Sequence, residues 1–325
     1  MNDVAIFSAA GVWCKGNLHT HTKFSDGKLS PEDVIIKYKK MNYDFIAITD
    51  HRKYMYHKHL QSDHFIVIPG LEADINPPGQ NICHHIVAVR NKISSRNFAD
   101  GYQFTPPEYR GLETVQEVID DLKYHDNFTF YCHPVWSGVD SSDFIGLDGL
   151  TGIEIFNTSC HITNNTGYSN TYISNALKHG KKTYVFAVDD CHQQQNDMGK
   201  GYIVVKADEK SEEGITDAIM KGRFYSSRGP SIYDFGIKNG RVYIKCSNVR
   251  EIHFIADPFG RSFVGEKGEL RCSASCNINK NWTSVRAEII DNNGYQAWTN
   301  PIYLKNDHTS FFHQYWRNII GRMNI

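Results

Sequence analysis

His19 and His21 stand one residue apart at the end of an apolar run, within Gly16-Asn17-Leu18-His19-Thr20-His21-Thr22-Lys23-Phe24-Ser25-Asp26-Gly27. Strand side chains alternate faces, so both imidazoles can reach one metal ion while Thr20 turns away. Asp26 follows on a Ser-Asp-Gly turn that can fold its carboxylate back over the same mouth. Other strand-like runs carry ligand types at one end too. His51 follows Tyr43 to Ile48, and Glu72 follows Phe65 to Leu71. His84-His85 opens Ile86 to Val89, His133 ends Phe128 to Cys132, and Asp190-Cys191-His192 ends Thr183 to Val188. Histidines with carboxylates, and no cysteine among them, favour Zn, Mn or Fe over a structural thiolate zinc site. At least seven candidate ligands exceed what one ion takes, so two or three divalent ions bridged by a carboxylate and a hydroxide are expected.

The elements that must position these residues alternate. Ser30-Pro31-Glu32-Asp33 starts a helix, with Ser at the cap, Pro next and acids in the first turn. Leu112, Val115, Val118, Ile119 and Leu122 have helical spacing, and Tyr168 to His179 is a further helix ended by Gly180. Strand and helix alternate from Val12 to about Val205, which implies a mainly parallel sheet, closed or nearly so. In barrels of this class, strands deliver functional residues to one rim. Polar insertions at Asp74–Cys83 and Asn91–Arg110 follow strands and are expected to overhang that rim. After a helix at Glu212–Gly222, short alternating strands and an Asn292-Asn293-Gly294 turn indicate a small all-β, sandwich-like domain. The expected division is 1–235, 236–305 and a tail at 306–325 that docks as a helix or mediates oligomer contacts.

Composition narrows the partners. The 325 residues carry 35 basic and 36 acidic side chains, a net charge of −1, and so no global field for nucleic acid or an anionic membrane. No apolar run is long enough for a membrane helix, and Asp3 stands where a signal peptide needs a basic residue. A cytoplasmic protein with reduced thiols is expected. Strand alternation should point Cys132 and Cys191 away from the ligand face. No Ser/His/Asp nucleophile arrangement and no Gly-rich phosphate loop is visible, so catalysis would rest on the metals.

The ordered set His19-Thr20-His21, Ser25-Asp26-Gly27, Thr49-Asp50-His51, Glu72, His85, His133-Pro134 and Asp190-Cys191-His192 resembles the PHP (polymerase and histidinol phosphatase) metallohydrolases. Ala218 to Tyr225 with Arg228-Gly229-Pro230, followed by the β domain, resembles the branch that includes carbaryl hydrolases. The resemblance implies a distorted (β/α)7 barrel with the metals at its C-terminal rim. It also implies that His19, His21 and Asp190 hold one ion together with Glu72, which bridges to a second held by His85 and His133. Asp26, His51 and His192 would hold a third. His85 is preferred to His84 because it directly precedes Ile-Val-Ala-Val. Arg228 and Arg52 are the expected phosphate contacts, and Glu154 supports a ligand from behind. Asp50 is expected to orient His51 or cap its turn, Asp189 to point away from the site, and His161 to lie in a loop in water.

The expected activity is hydrolysis of a small phosphorylated metabolite or nucleotide by a metal-bridging hydroxide, with His192 or His51 assisting the leaving group. Attack on a carbamate, amide or ester by the same centre is the alternative within hydrolysis. A catalytically silent metal-binding scaffold is the alternative outside it.

Overall fold

A computed structural model describes residues 3–7, 10–258, 260–264 and 269–304. The docking helix expected at 306–325 lies outside the described residues. The chain begins with β1 (Val4–Ala5), β2 (Val12–Asn17), α1 (Pro31–Lys40), β3 (Phe45–Ile48), β4 (Lys53–Tyr54), β5 (Ile66–Ile75) and β6 (His84–Arg90). It continues through β7 (Tyr102–Gln103), α2 (Leu112–Tyr124), β8 (Asn127–Tyr131), β9 (Gly152–Asn157), α3 (Thr158–Asn164) and α4 (Asn170–Lys178). Next come β10 (Tyr184–Val188), β11 (Tyr202–Ala207), α5 (Glu212–Met220) and β12 (Phe224–Ser227). Helix α1 starts as its sequence demands: Ser30 Oγ accepts the Asp33 N–H and Pro31 fills the first turn. Its buried Val34, Ile35 and Tyr38 pack on Ile46 and Ile48.

Pairing fixes the direction of every strand. β2, β3 and β5 are parallel neighbours, as are β8, β9 and β10. β6 lies between β5 and β8 and runs antiparallel to both. Six strands therefore point one way and β6 the other. Beyond the strands, Thr20 and Cys191 form a parallel bridge, the Asp190 N–H donates to the His19 carbonyl (2.9 Å), and the His21 N–H donates to the Cys191 carbonyl (3.1 Å). These bonds tie the end of β2 to the end of β10 at the rim.

One apolar cluster lies between the strands, including Leu18, Ala47, Val87, Phe130, Phe186 and Val188. Phe130 and Phe186 stack with centroids 4.7 Å apart, and Phe186 stacks on Phe224 at 5.0 Å. Gly16 is required here: a Cβ at this position would sit 2.2 Å from the Phe45 ring. Helices pack on the outer face in two further clusters, one holding α2 and α4, the other α1. The free edge of β10 meets side chains from β12 and beyond. Ser226 Oγ accepts the Ala187 N–H (2.8 Å) and donates to the Val185 carbonyl (2.7 Å), while Asn300 Oδ1 accepts the Val185 N–H (3.0 Å).

The remaining strands are β13 (Ile232–Lys238), β14 (Arg241–Val249), β15 (Glu251–Asp257), β16 (Gly260–Val264), β17 (Arg271–Asn277), β18 (Ser284–Ile290), β19 (Gln296–Thr299) and β20 (Ile302–Tyr303). One sheet has the order β1-β13-β14-β17, so the N-terminal strand joins this C-terminal body. The other, β19-β18-β15-β16, continues through β12 and β11 into the first body. Apolar residues of both sheets, among them Phe235, Ile244, Phe254 and Ile289, form a common core. All eight cysteines are unpaired. Among the described residues no helix is long and apolar enough to cross a membrane.

The two expected overhanging insertions do not line the cleft described below. Because β6 runs antiparallel, Asn91 leaves it at the end remote from the ligands and pairs there with Asp126, but the insertion returns to the rim, where the Phe104 N–H donates to the Arg52 carbonyl (2.8 Å) beside His51 and Tyr109 stacks on His84.

Ser226→Ala leaves the buried Ala187 N–H and Val185 carbonyl without this partner. Unfolding in urea should show a loss of about 1–3 kcal/mol, and an unchanged midpoint would contradict the role given to this seam.

Candidate metal centre

The rim above the Phe130–Phe186 core gathers residues from seven chain segments. His19 and His21 extend β2, Asp26 lies on the following turn, and His51 follows β3. Glu72 lies within β5, His85 near the start of β6, His133 just after β8, and Asp190 and His192 just after β10. His85 opens its strand where the other ligands close theirs, because β6 runs the opposite way. His133 and Asp190 have φ of +26° and +51°, a conformation costly for residues other than glycine, where the chain breaks sharply off its strand.

Glu72 is the hub. Its Oε2 lies 3.2 Å from His19 Nε2, 3.3 Å from His21 Nε2 and 3.1 Å from His51 Nδ1. Its Oε1 lies 2.8 Å from His85 Nδ1 and 3.2 Å from His133 Nε2. Asp190 Oδ1 is 3.2 Å from His19 Nε2 and 3.0 Å from His21 Nε2, and those two nitrogens are 3.2 Å apart. A tetrahedral ion with ligands at about 2.0–2.1 Å spaces them roughly 3.3–3.4 Å apart, so this cage has the right size. Glu72 Oε2, Asp190 Oδ1 and His51 Nδ1 are buried and meet one another's neighbours at ligand-cage distances without well-aligned hydrogen bonds, as expected of atoms aimed at a cation. The donor set therefore fits a divalent metal.

An outer group lies nearer solvent. Asp26 Oδ2 is 3.3 Å from His192 Nε2 and 3.7 Å from His51 Nε2, and Asp26 Oδ1 is 3.6 Å from His21 Nδ1. Asp26 is half exposed, whereas Glu72 is buried.

Buried groups hold the donors from behind. His19 Nδ1 lies 2.7 Å from Glu154 Oε1, and Glu154 Oε2 accepts the His133 N–H (2.8 Å) and Asn157 Nδ2 (2.9 Å). Asn157 Nδ2 also reaches Asp190 Oδ2 at 3.1 Å. Asp50 does not orient His51. It accepts the Thr22 N–H (2.6 Å) and the hydroxyls of Thr22 and Ser25 (2.7 Å each), bracing the loop that carries Asp26. Asp189 turns from the mouth and accepts the N–H groups of Gly199, Lys200 and Gly201. His84 is held at 2.7 Å by the Tyr131 hydroxyl, while His85 faces Glu72.

Other placements depart from the sequence reading. Cys191 packs outward against the α1 layer as expected, but the Cys132 sulfur lies beneath the cage, within 4.8 Å of ligand atoms of Glu72 and His133. The break in backbone at His133 ends the alternation on which that expectation rested. Burial holds the Cys132 thiol well above its ordinary pKa and hence protonated. His161 belongs to α3 and packs against Phe156 and Tyr168.

The donors floor a cleft of about 320 Å³, walled by Trp136, by Ser159, Cys160, Ile162 and Thr163 of α3 and by the loop around Gln194, Gln195 and Asp197. These walls have no reactive side-chain signature in the sequence. Arg52 and Arg228, the expected phosphate contacts, do not line it. Arg52 is engaged by both oxygens of Asp74, and Arg228 is bonded to the Tyr168 hydroxyl with its guanidinium 4.2 Å from the Phe156 ring centroid.

The family model for the PHP domain matches residues 17–182. The chain belongs to the PHP domain family. Among solved structures, it is similar to a two-domain protein from Bacteroides vulgatus containing a predicted PHP-like metal-dependent phosphoesterase, at 17% identity over 90% of this chain and 96% of that one, with a TM-score of 0.45. It is also similar to a candidate metal-dependent phosphoesterase from Bifidobacterium adolescentis (14% identity, 58% and 90% covered, TM-score 0.39). A third is an amidohydrolase from Chromobacterium violaceum with bound sulfate (15% identity, 57% and 89% covered, TM-score 0.40). Among curated proteins no match is found. The match ends before Asp190 and His192, yet the fold places both beside the PHP residues His19 and His21.

The donors also act on one another's protonation. Burial alone would lower the pKa of His21, but hydrogen bonds and charge from Asp190 and Glu72 raise it to about 9. Burial likewise opposes Glu72, whose charge raises His85 to about 10. The same pairings hold Glu72 and Asp190 below the ordinary carboxylate range. A raised histidine pKa stabilises the fold fully below its unfolded value, and this contribution is lost as pH rises through the folded one. Metal ligation instead needs the neutral imidazole. The Tm difference between metal-loaded and chelator-stripped protein should therefore widen from about pH 6.5 to about pH 9, and a constant difference would contradict it.

Glu154→Gln must present an amide either to His19 Nδ1 or to the His133 and Asn157 donors. Either orientation is wrong, so affinity for a divalent ion among His19, His21, Glu72 and Asp190 should fall about 10- to 100-fold in a competition titration with a chelator. Unchanged affinity would remove Glu154 from the account.

Proposed function

We propose that the protein is a metal-dependent phosphoesterase acting on a small phosphorylated metabolite or nucleotide. In this reading residues 1–235, apart from β1 and the start of β13, form a distorted (β/α)7 barrel with β2, β3, β5, β6, β8, β9 and β10 as its staves, followed by a β body at 236–305. His19, His21 and Asp190 with Glu72 hold the first ion, and Glu72 with His85 and His133 the second. Asp26, His51 and His192 hold the third. When bound, Zn, Mn or Fe ions in such a cluster activate water and neutralise the oxygens of a phosphoryl group.

The observation that carries this reading is the outer group of Asp26, His51 and His192 at the same mouth as Glu72. Phosphoryl transfer spreads charge over several oxygens and gains from cations on more than one side. Attack on a carbonyl develops charge on one oxygen and has less use for a third position. His192 and His51 both line the cleft, and the Asp190 carbonyl lies 2.9 Å from His192 Nδ1, leaving Nε2 toward the mouth. Where the third position holds no ion, a protonated His192 in that orientation can pass a proton to a departing alkoxide.

Carbamate, amide or ester hydrolysis is the second reading. It is favoured by the cleft lining, which among the described residues includes no Lys or Arg to meet a phosphate.

A panel of nucleotides, sugar phosphates, carbamates and esters separates the two readings in metal-loaded enzyme. Release of inorganic phosphate is expected, and carbamate or ester cleavage without it would overturn the phosphoesterase assignment. His19→Ala should abolish turnover and loss-of-metal should accompany it, with circular dichroism unchanged. Asp26→Ala should lower the metal content by one ion only. Loss of every ion in that variant would contradict the partition.

A further inference from the structure

Trp136 is a large aromatic side chain at the cleft that the metal chemistry does not use. The residue is 44% exposed, and one side of its indole rests on candidate ligands, with ring centroids 4.9 Å from His133 and 5.8 Å from His85. The turn beneath it is fixed. The Ser137 N–H donates to the His133 carbonyl (3.0 Å), the Gly138 N–H to the Val135 carbonyl (3.2 Å), and Ser137 Oγ lies 3.1 Å from His133 Nδ1. Gly138 has φ of +69°, and a Cβ there would meet the Asn81 carbonyl oxygen at 2.9 Å. The indole is thus a preformed wall beside the donors with a surface left open to the cleft. The neighbouring lining brings Ile162 and Thr163, and the exposed amides of Gln194 and Gln195. Among the described residues no Lys or Arg lines the cleft to meet a charged group of the substrate.

We infer that Trp136 is the stacking platform for the non-phosphoryl part of the substrate, and that this part is an uncharged planar ring of the nucleobase class. The inference rests on the phosphoesterase reading and narrows it to substrates with one phosphoryl group at the donors and a ring against the indole. Aromatic stacking is tolerant of ring identity but needs a flat π-face. Amides beside the platform can pair with the donors and acceptors on a nucleobase edge, which a plain aryl group lacks. A second phosphate would lie in a cleft whose charged lining is acidic or histidine, so nucleoside diphosphates are disfavoured.

The test compares wild type, Trp136→Ala and Trp136→Phe in the metal-loaded full chain. The substrates are adenosine monophosphate, adenosine diphosphate, p-nitrophenyl phosphate and ribose 5-phosphate. For the monophosphate, kcat/KM should fall roughly 10- to 100-fold in Trp136→Ala, mainly through KM, and recover largely in Trp136→Phe. Ribose 5-phosphate should change by less than about threefold, a loss of area without stacking. A readout free of turnover is fluorescence: adenosine should quench wild-type emission, and Trp136→Phe should abolish that quench. Equal losses on ribose 5-phosphate and the monophosphate, or no quench, overturn the platform. Preference for p-nitrophenyl phosphate or the diphosphate overturns the nucleobase assignment. A quench that depends on Trp136, with no phosphate released from any substrate, leaves the ring site standing and overturns the phosphoesterase reading instead.

Discussion

Glu72 is buried, with one oxygen against His19, His21 and His51 and the other against His85 and His133. A carboxylate removed from water is tolerable only where opposite charge and hydrogen-bond donors meet it. Five imidazoles from four other chain segments converge to do so, and Asp190 adds a second buried carboxylate beside the first two. Two carboxylates among neutral imidazoles need cations, and without metal those cations are protons on the rings. The same geometry that makes the site costly when empty of charge makes it a strong trap for divalent ions.

Everything around the hub serves to hold it. The rim bonds between the ends of β2 and β10 bring His19, His21 and Asp190 to one face, and Glu154 with Asn157 ties His19, His133 and Asp190 together behind it. Asp50 performs the equivalent task for the loop that carries Asp26. These supports are buried and multiply bonded, whereas the Asp26 group lies closer to solvent. In the proposed reading, an ion held there is the most exchangeable, which suits a position that opens toward substrate.

Much of this site was legible in the sequence, because hard and borderline ligands at strand ends are rare by chance and common at a barrel rim. The direction of β6 was not. His85 begins its strand instead of ending it, and only pairing with β5 and β8 shows that this puts it on the common rim. The same reversal explains why Asn91–Arg110 starts at the end remote from the ligands and reaches the rim only on its return, through β7 and Tyr109. Cys132 was misplaced because strand alternation fails where His133 turns off β8. The cleft walls formed by Trp136 and α3 were illegible as such: their lining residues are neutral, and nothing in their types announces which surface they face. The β body was visible as a change of pattern. Its use of the N-terminal strand β1 and its continuity with β12 depend on long-range pairing that no local pattern encodes.

The claim on which the account turns is that Glu72 bridges two ions. Anomalous diffraction at the manganese edge, from crystals of the full chain grown with manganese, locates such ions without reference to turnover. The account predicts one peak among His19, His21, Glu72 and Asp190, a second among Glu72, His85 and His133, and a weaker third beside Asp26. Peaks confined to other parts of the molecule, or no ion in contact with Glu72, would contradict it.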